Sequence, residues 1–302
     1  MFSTFISSKR WVILLAVTIP LLCFVKINGV KAKEIFIRPS ETDRGITQAN
    51  EPHLVAYNPR SAGDGLLVFL TGTGGKSEWM PFFGMAAEEG YRVISLSYRN
   101  TPAVAQVCIG SGDRLCAQNF RQKRIFGSNV SQVITDTPAD SIVNRLTKLL
   151  RYLSATDEAG RWGEYLADGQ PLWSRITVAG QSQGGGMAAF LAKKHTVARV
   201  IIFSGGWDNQ GQPGPVQPGG IAAWYSMPSA TPAAVWYGTY HVQEENAAVI
   251  EKTYGALSIP KDNVISFRRP VPPGGNPHGF GVYNPANAQE WRRLLGDGRS
   301  NY

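Results

Sequence analysis

Histidine and cysteine are scarce in this chain, four and three among 302 residues. Neither type falls at metal-ligand spacing, so the sequence offers no metal site and implies no cofactor. Dense basic runs and basic patches interleaved with aromatics are also lacking, which excludes nucleic acid as a partner. No internal repeat or low-complexity tract is present. Nor does any apolar run reach the roughly 20 residues of a spanning helix. The clearest candidate, Trp11 to Val25, is 15 residues long and is interrupted by Pro20.

That run follows Lys9 and Arg10 and precedes Val30-Lys31-Ala32, the small-residue pattern of a cleavage site. Residues 1–32 are read as a secretory signal peptide. The alternative is an uncleaved anchor through residues 11–25, the one case in which the membrane is a partner. A lipoprotein signal at Leu21-Leu22-Cys23 is disfavoured by the bulky Leu22. Loss of residues 1–32 lowers the formal net charge from +8 to +4. About 270 residues then remain for one large α/β domain, 33–302, with a sizeable core. Glycine and proline are plentiful, 33 and 19, and predict long ordered loops. In an exported chain Cys108 and Cys116, bracketing Ile-Gly-Ser-Gly-Asp-Arg-Leu, are expected to form a disulfide, with two free thiols as the alternative. Asn129-Val130-Ser131 is a glycosylation sequon if the host is eukaryotic.

Strand and helix patterns alternate. Leu66 to Leu70, Arg92 to Leu96, Arg175 to Ala179, Val200 to Phe203, Ala233 to Tyr237 and Val264 to Phe267 read as strands. Helices are predicted over Trp79 to Glu89, Asp140 to Leu153, Gly184 to His195, Glu244 to Leu257 and Gln289 to Leu295. Residues 101–135 show little periodicity and read as an excursion. Residues 205–232, rich in Gly and Pro, read as a loop region carrying Trp207, Trp224 and Tyr225. The fold class is therefore α/β, with a mostly parallel sheet covered by helices on both faces. In such sheets the site lies at the carboxyl ends of the strands.

At one such end stands Gly180-Gln181-Ser182-Gln183-Gly184, between an apolar strand and a small-residue helix. A strand-turn-helix of this kind strains the serine and exposes its Oγ above the sheet. The bare pattern is weak in a chain with 33 glycines, but its context raises it. The bland alternative is a Gly-rich turn with an inert serine. A serine nucleophile needs a base. His278, in Pro272-Pro273-Gly274-Gly275-Asn276-Pro277-His278-Gly279, comes after the last strand and suits that role. His53 precedes the serine in an N-terminal segment, His195 is expected to face solvent, and His241 stands about where a carboxylate is usual. The acid is therefore harder to place. Asp208 is preferred because it follows the first strand beyond the serine helix. Glu244 or Glu245 comes next, and Asp262 ranks lower. Oxyanion donors are expected from the amides of Gln183 and Thr73, with Gly74 second to Thr73. The Gly-Lys-Ser at 75–77 mimics a phosphate loop, but Leu70 stands where that pattern needs glycine.

With these motifs the chain resembles the α/β-hydrolase superfamily over roughly residues 60–295. Cys108/Cys116, Gly-Gln-Ser-Gln-Gly-Gly and Phe-Ser-Gly-Gly-Trp-Asp are similar to a group of exported hydrolases within it. The resemblance implies the α/β-hydrolase fold, Ser182 as nucleophile, His278 as base and amides near Thr73 and Gln183 as the oxyanion hole. An acid after the strand that precedes residue 204 is similar to the lipase variant. The expected activity is that of a serine carboxylic ester hydrolase acting on a small-molecule or lipid-like ester, with no cofactor. The rival reading is a non-catalytic binding protein on the same scaffold.

Overall fold

Nine strands join into one sheet in the computed structural model, which describes residues 22–27, 30–61 and 63–296. Most of the expected leader, residues 1–21, lies outside the described residues. In chain order the strands are β1 (Leu22–Ile27), β2 (Val30–Ile37), β3 (His53–Tyr57), β4 (Leu66–Leu70), β5 (Arg92–Leu96), β6 (Ile176–Gln181), β7 (Arg199–Phe203), β8 (Trp236–His241) and β9 (Val264–Phe267). Across the sheet they run β1-β2-β3-β5-β4-β6-β7-β8-β9. The pairs β1–β2, β2–β3 and β3–β5 are antiparallel. Every pair from β5 onward is parallel. From β2 onward this order and direction are those of the α/β-hydrolase fold.

Side chains of β4 show how the sheet makes two cores. Leu66, Val68 and Leu70 point to one face, while Leu67 and Phe69 point to the other. Both sets are buried, as period-two alternation demands of a strand covered on both sides. Helices α3 (Cys116–Phe126), α4 (Ile142–Thr156), α5 (Gln183–Lys194) and α6 (Ala247–Ala256) cover the first face. Helices α1 (Pro81–Glu88) and α7 (Ala288–Leu295) cover the second, through Phe82, Phe83, Trp291 and Leu294. The α4 stripe Ile142, Leu146, Leu149, Leu150 and Leu153 is fully buried, and Ser141 caps its start by accepting from Asn144 N.

Three expectations shift. The excursion at 101–135 holds two helices, α2 (Val104–Cys108) and α3, tied by the Cys108–Cys116 disulfide. Helix α3 escapes a hydrophobic reading because it buries Arg121, Lys123 and Arg124 as well as Phe120 and Ile125. These cations are bound internally: Arg124 to Asp136, Lys123 to the Ser131 carbonyl, Arg121 to Asp208. The strand expected at 233–237 starts and ends later. Pro232 leads into a 3-10 turn at Ala233–Val235, and pairing begins with Trp236 against Val200. The helix expected from Glu244 begins at Ala247, because Glu244 N donates to the His241 carbonyl and closes a turn at the end of β8.

Candidate active site

Four successive parallel strands, β4, β6, β7 and β8, release their carboxyl ends toward one place, and the loop beyond β9 returns to it. Between β6 and α5 sits Ser182, with φ 57° and ψ −122°. A positive φ on a non-glycine residue is strained and has to be held by its surroundings. Here Ser182 N donates to Phe203 O at 2.8 Å, and Ser182 O accepts from Gly186 N at 3.2 Å. The flanking glycines are required by close approach. A Cβ on Gly180 would overlap the Gly184 backbone, and one on Gly184 would overlap the Leu70 carbonyl. A Cβ on Gly186 would overlap the Arg121 guanidinium.

Past β4, the segment Thr71 to Gly75 turns beside the serine. Gly75 N donates to Gly72 O at 3.0 Å, which puts Thr73 and Gly74 at the tip. Asn100 and Tyr98, past the end of β5, hold this turn. Asn100 Nδ2 donates to Gly75 O at 2.6 Å and to Thr71 Oγ1 at 3.1 Å, and Tyr98 OH donates to Thr71 O at 2.7 Å. Gly74 N donates to Asn100 Oδ1 at 3.3 Å, which occupies the second-choice oxyanion donor. Thr73, Ser182 and Gln183 line one cavity. Gln183 is the first residue of α5, where helix N–H groups have no partner within the helix. Its side chain is clamped, accepting from Val104 N at 2.8 Å and donating to Asn100 O at 2.7 Å.

His278 arrives from the loop after β9. Its Nδ1 lies 2.7 Å from Glu244 Oε2. Glu244, buried at the end of β8, also accepts from Ser204 Oγ and from His241 N at Oε1, both at 2.7 Å. The carboxylate facing Nδ1 puts the proton there and leaves Nε2 as the free lone pair of the neutral ring. Two contacts hold His278 beside the elbow. Gln181 Nε2 donates to its carbonyl at 3.2 Å, and the Trp207 ring packs edge-on at 5.3 Å. Among the described residues Ser182 Oγ makes no hydrogen bond with His278. Such catalytic bonds commonly tighten only around substrate.

Asp208, the acid the sequence favours, lies away from His278 in the structure. Its carboxylate takes a bidentate pair from Arg121, Nε to Oδ2 and Nη2 to Oδ1, both at 2.6 Å. Trp224 Nε1 donates to Oδ2 at 2.9 Å. Burial is the largest influence on the Arg121 pKa and lowers it, but the Asp208 charge, the hydrogen bonds to Asp208 and the nearby Tyr225 and Tyr98 together outweigh it and hold the guanidinium above its usual value. Asp208 therefore compensates a buried cation under the serine pocket and does not meet His278. Glu245 is exposed next to Glu244, and Asp262 sits in a turn before β9.

The other histidines are bound into the framework. His241 accepts from Gln243 N at Nδ1 and meets Arg269 O at Nε2. His195 is half-buried, with one ring face stacked on Trp173 at 5.1 Å, so it faces solvent only in part. His53 is fully buried and accepts from Ser97 N at 2.9 Å. Burial, with the nearby Arg145 charge adding to it, pushes its pKa down to about 3. Of the aromatic residues considered for a pocket, Trp207 lines two of the described cavities. Trp79 packs on Phe83, while Trp224 and Tyr225 are buried around Asp208.

Sequence reasoning missed Ser204, Asn100 and Arg121. Ser204 and Asn100 carry a signal in retrospect, since each stands within four residues of a strand's carboxyl end. Arg121 carries none, because a charged residue in a helix is ordinarily a solvated one.

No protein-family model and no curated protein matches the chain. Among solved structures it is similar to a protein assigned as a dienelactone hydrolase from Klebsiella pneumoniae subsp. pneumoniae MGH 78578, at 15% identity and a TM-score of 0.44, covering 90% of this chain and 98% of that one. It is also similar to Thermogutta terrifontis esterase 2. The form phosphonylated by cyclosarin is 13% identical with a TM-score of 0.42, over 94% of this chain and 95% of that one. The butyrate-bound form is 15% identical with a TM-score of 0.41, over 91% and 90%. At these values the likenesses carry no argument about activity, and the α/β-hydrolase fold of this chain rests on its own strand order.

Proposed function

We propose that the chain is an exported serine hydrolase that cleaves a carboxylic ester by acyl transfer. The observation that carries the reading is the 2.7 Å bond from His278 to a buried, doubly anchored Glu244, beside a serine held at positive φ. Ser182 Oγ attacks the ester carbonyl while His278 Nε2 takes its proton. Charge builds on the carbonyl oxygen, which the amides of Thr73 and Gln183 receive. The C–O bond to the alcohol breaks, and His278 returns the proton to the leaving oxygen. Water then attacks the acyl-serine, gives its proton to His278, and releases the acid as Ser182 recovers its hydrogen. Glu244 fixes the His278 tautomer and stabilises the imidazolium formed twice in the cycle. Export accords with the Cys108–Cys116 disulfide, since such bonds persist in oxidising compartments.

The test is hydrolysis of p-nitrophenyl acetate by wild type and by Ser182→Ala, together with labelling by a fluorophosphonate probe. Activity and labelling that both vanish in Ser182→Ala support the reading. A folded wild-type chain that neither turns over the ester nor takes the label rejects it in favour of a silent scaffold.

A further inference from the structure

Resting on that reading, we propose that the substrate is a short-acyl ester, above all an acetyl ester, of a polyhydroxylated alcohol such as a sugar. Two cavities meet at Trp207. The first holds about 60 Å³ and is lined by Thr73, Ser182, Gln183, Val104, Ala105 and Trp207. An acyl group on Ser182 with its oxygen toward the Thr73 and Gln183 amides has this cavity for its chain. Pockets for drug-sized ligands run to roughly 300–1,000 Å³. The cavity is a fraction of that size and suits a short acyl chain, with acetyl the smallest. Its walls are fixed. Gln183 is tied to Asn100 and Val104, and the floor is the bidentate Arg121–Asp208 pair. Widening it on that side means breaking a buried ion pair, which is strongly unfavourable.

The second cavity, about 380 Å³, is lined by Trp207, Glu244 and His278. It borders the residue that hands its proton to the leaving oxygen, and the alcohol is assigned to it. The groups there are those that bind hydroxyls. Gln243, Glu245, Asn246 and Asn276 supply amide donors and acceptors and one exposed carboxylate. Asn276 Oδ1 already accepts from His278 N at 2.9 Å, which leaves its Nδ2 to donate. Trp207 is partly exposed and offers a flat apolar surface to the C–H face of a ring. A long alkyl alcohol would instead cover these polar groups without bonding them, at a desolvation cost.

Two substrate series on wild-type protein test the inference. In the first, p-nitrophenyl esters run from acetate to octanoate with the leaving group constant. In the second, the acyl group is acetyl, and a xylose acetate is compared with octyl acetate, each rate divided by that of hydroxide-catalysed hydrolysis. Expected are a fall in kcat/KM of about 100-fold from acetate to octanoate and a preference of about tenfold or more for the sugar ester. Glu245→Ala and Asn246→Ala are each expected to raise KM for the xylose acetate more than they lower kcat. Octanoate turned over as well as acetate, or no preference for the sugar ester, overturns this inference and leaves the hydrolase reading standing. A folded chain that hydrolyses none of these esters and takes no fluorophosphonate label overturns both.

Discussion

Glu244→Gln separates the two carboxylates that compete for the role of acid. The substitution keeps shape and removes charge. Glu244 Oε1 accepts from two donors, Ser204 Oγ and His241 N, and the backbone donor cannot turn away. The glutamine carbonyl oxygen must therefore take that position, which puts its NH₂ at the place of Oε2. His278 Nδ1 then faces a donor and has to act as acceptor, so its proton moves to Nε2. That is the wrong tautomer to receive a proton from Ser182. The loss in kcat is expected to be about 10³–10⁴-fold, or about 4–5 kcal/mol in the barrier, with KM little changed. Asp208→Asn acts differently. It leaves Arg121 buried without a counter-charge, at a cost of about 3–5 kcal/mol in stability and roughly 10 °C in Tm. Steady-state kinetics on p-nitrophenyl acetate and a thermal melt, run on both variants, decide the matter. If Glu244→Gln keeps near-normal kcat, or Asp208→Asn melts like wild type while losing a thousandfold in kcat, the assignment from this geometry is wrong.

Acid sensitivity should trace to His53. Its folded pKa, near 3, lies below the ordinary 6.5, so between those values the unfolded chain binds a proton that the folded chain excludes. Stability then falls as pH drops through this window, by about 1.4 kcal/mol per pH unit from this group. His53→Asn, whose Oδ1 can accept from Ser97 N, should flatten that slope in chemical denaturation at pH 4–6.5; an unchanged slope rejects the attribution. Replacing both Cys108 and Cys116 by serine opens a nine-residue loop and should cost about 2–3 kcal/mol, read from urea midpoints, and a wild-type midpoint counts against it. Gly184→Ala drives a methyl into the Leu70 carbonyl and should cost about 1–3 kcal/mol with a loss of turnover, because the same backbone carries the oxyanion turn. A variant as stable and active as wild type would show that the elbow is looser than described.

Much of the fold was legible because local signals and global demands agreed. The alternating faces of Leu66 to Leu70, the buried stripe of Ile142 to Leu153 and the small residues after Ser182 each satisfy one element and its packing together. That Ser182 and His278 would come to the same end of the sheet could be read for the same reason. A nucleophile elbow announces itself through glycines that close approach demands, and the proline- and glycine-rich loop after the last strand leaves few places for the base.

The carboxylate that meets His278 could not be read, and the cause is a matter of three residues. Ala233-Ala234-Val235 has strand-like composition, so an apolar reading starts the strand there and ends it at Tyr237. The backbone spends those residues in a 3-10 turn, and β8 carries its pairing on to His241. The carboxylate sought just beyond Tyr237 is thereby displaced to Glu244, three residues past the true strand end. With that slot read as empty, Asp208 stands as the first acid after a strand. Its own role was hidden in α3, where Arg121 reads as a solvated cation and is in fact buried. A buried arginine needs an anion, and Asp208 is the carboxylate that meets it. Two carboxylates at neighbouring strand ends thus divide by partner: Glu244 meets a histidine that can gain and lose a proton, and Asp208 meets a guanidinium that never does.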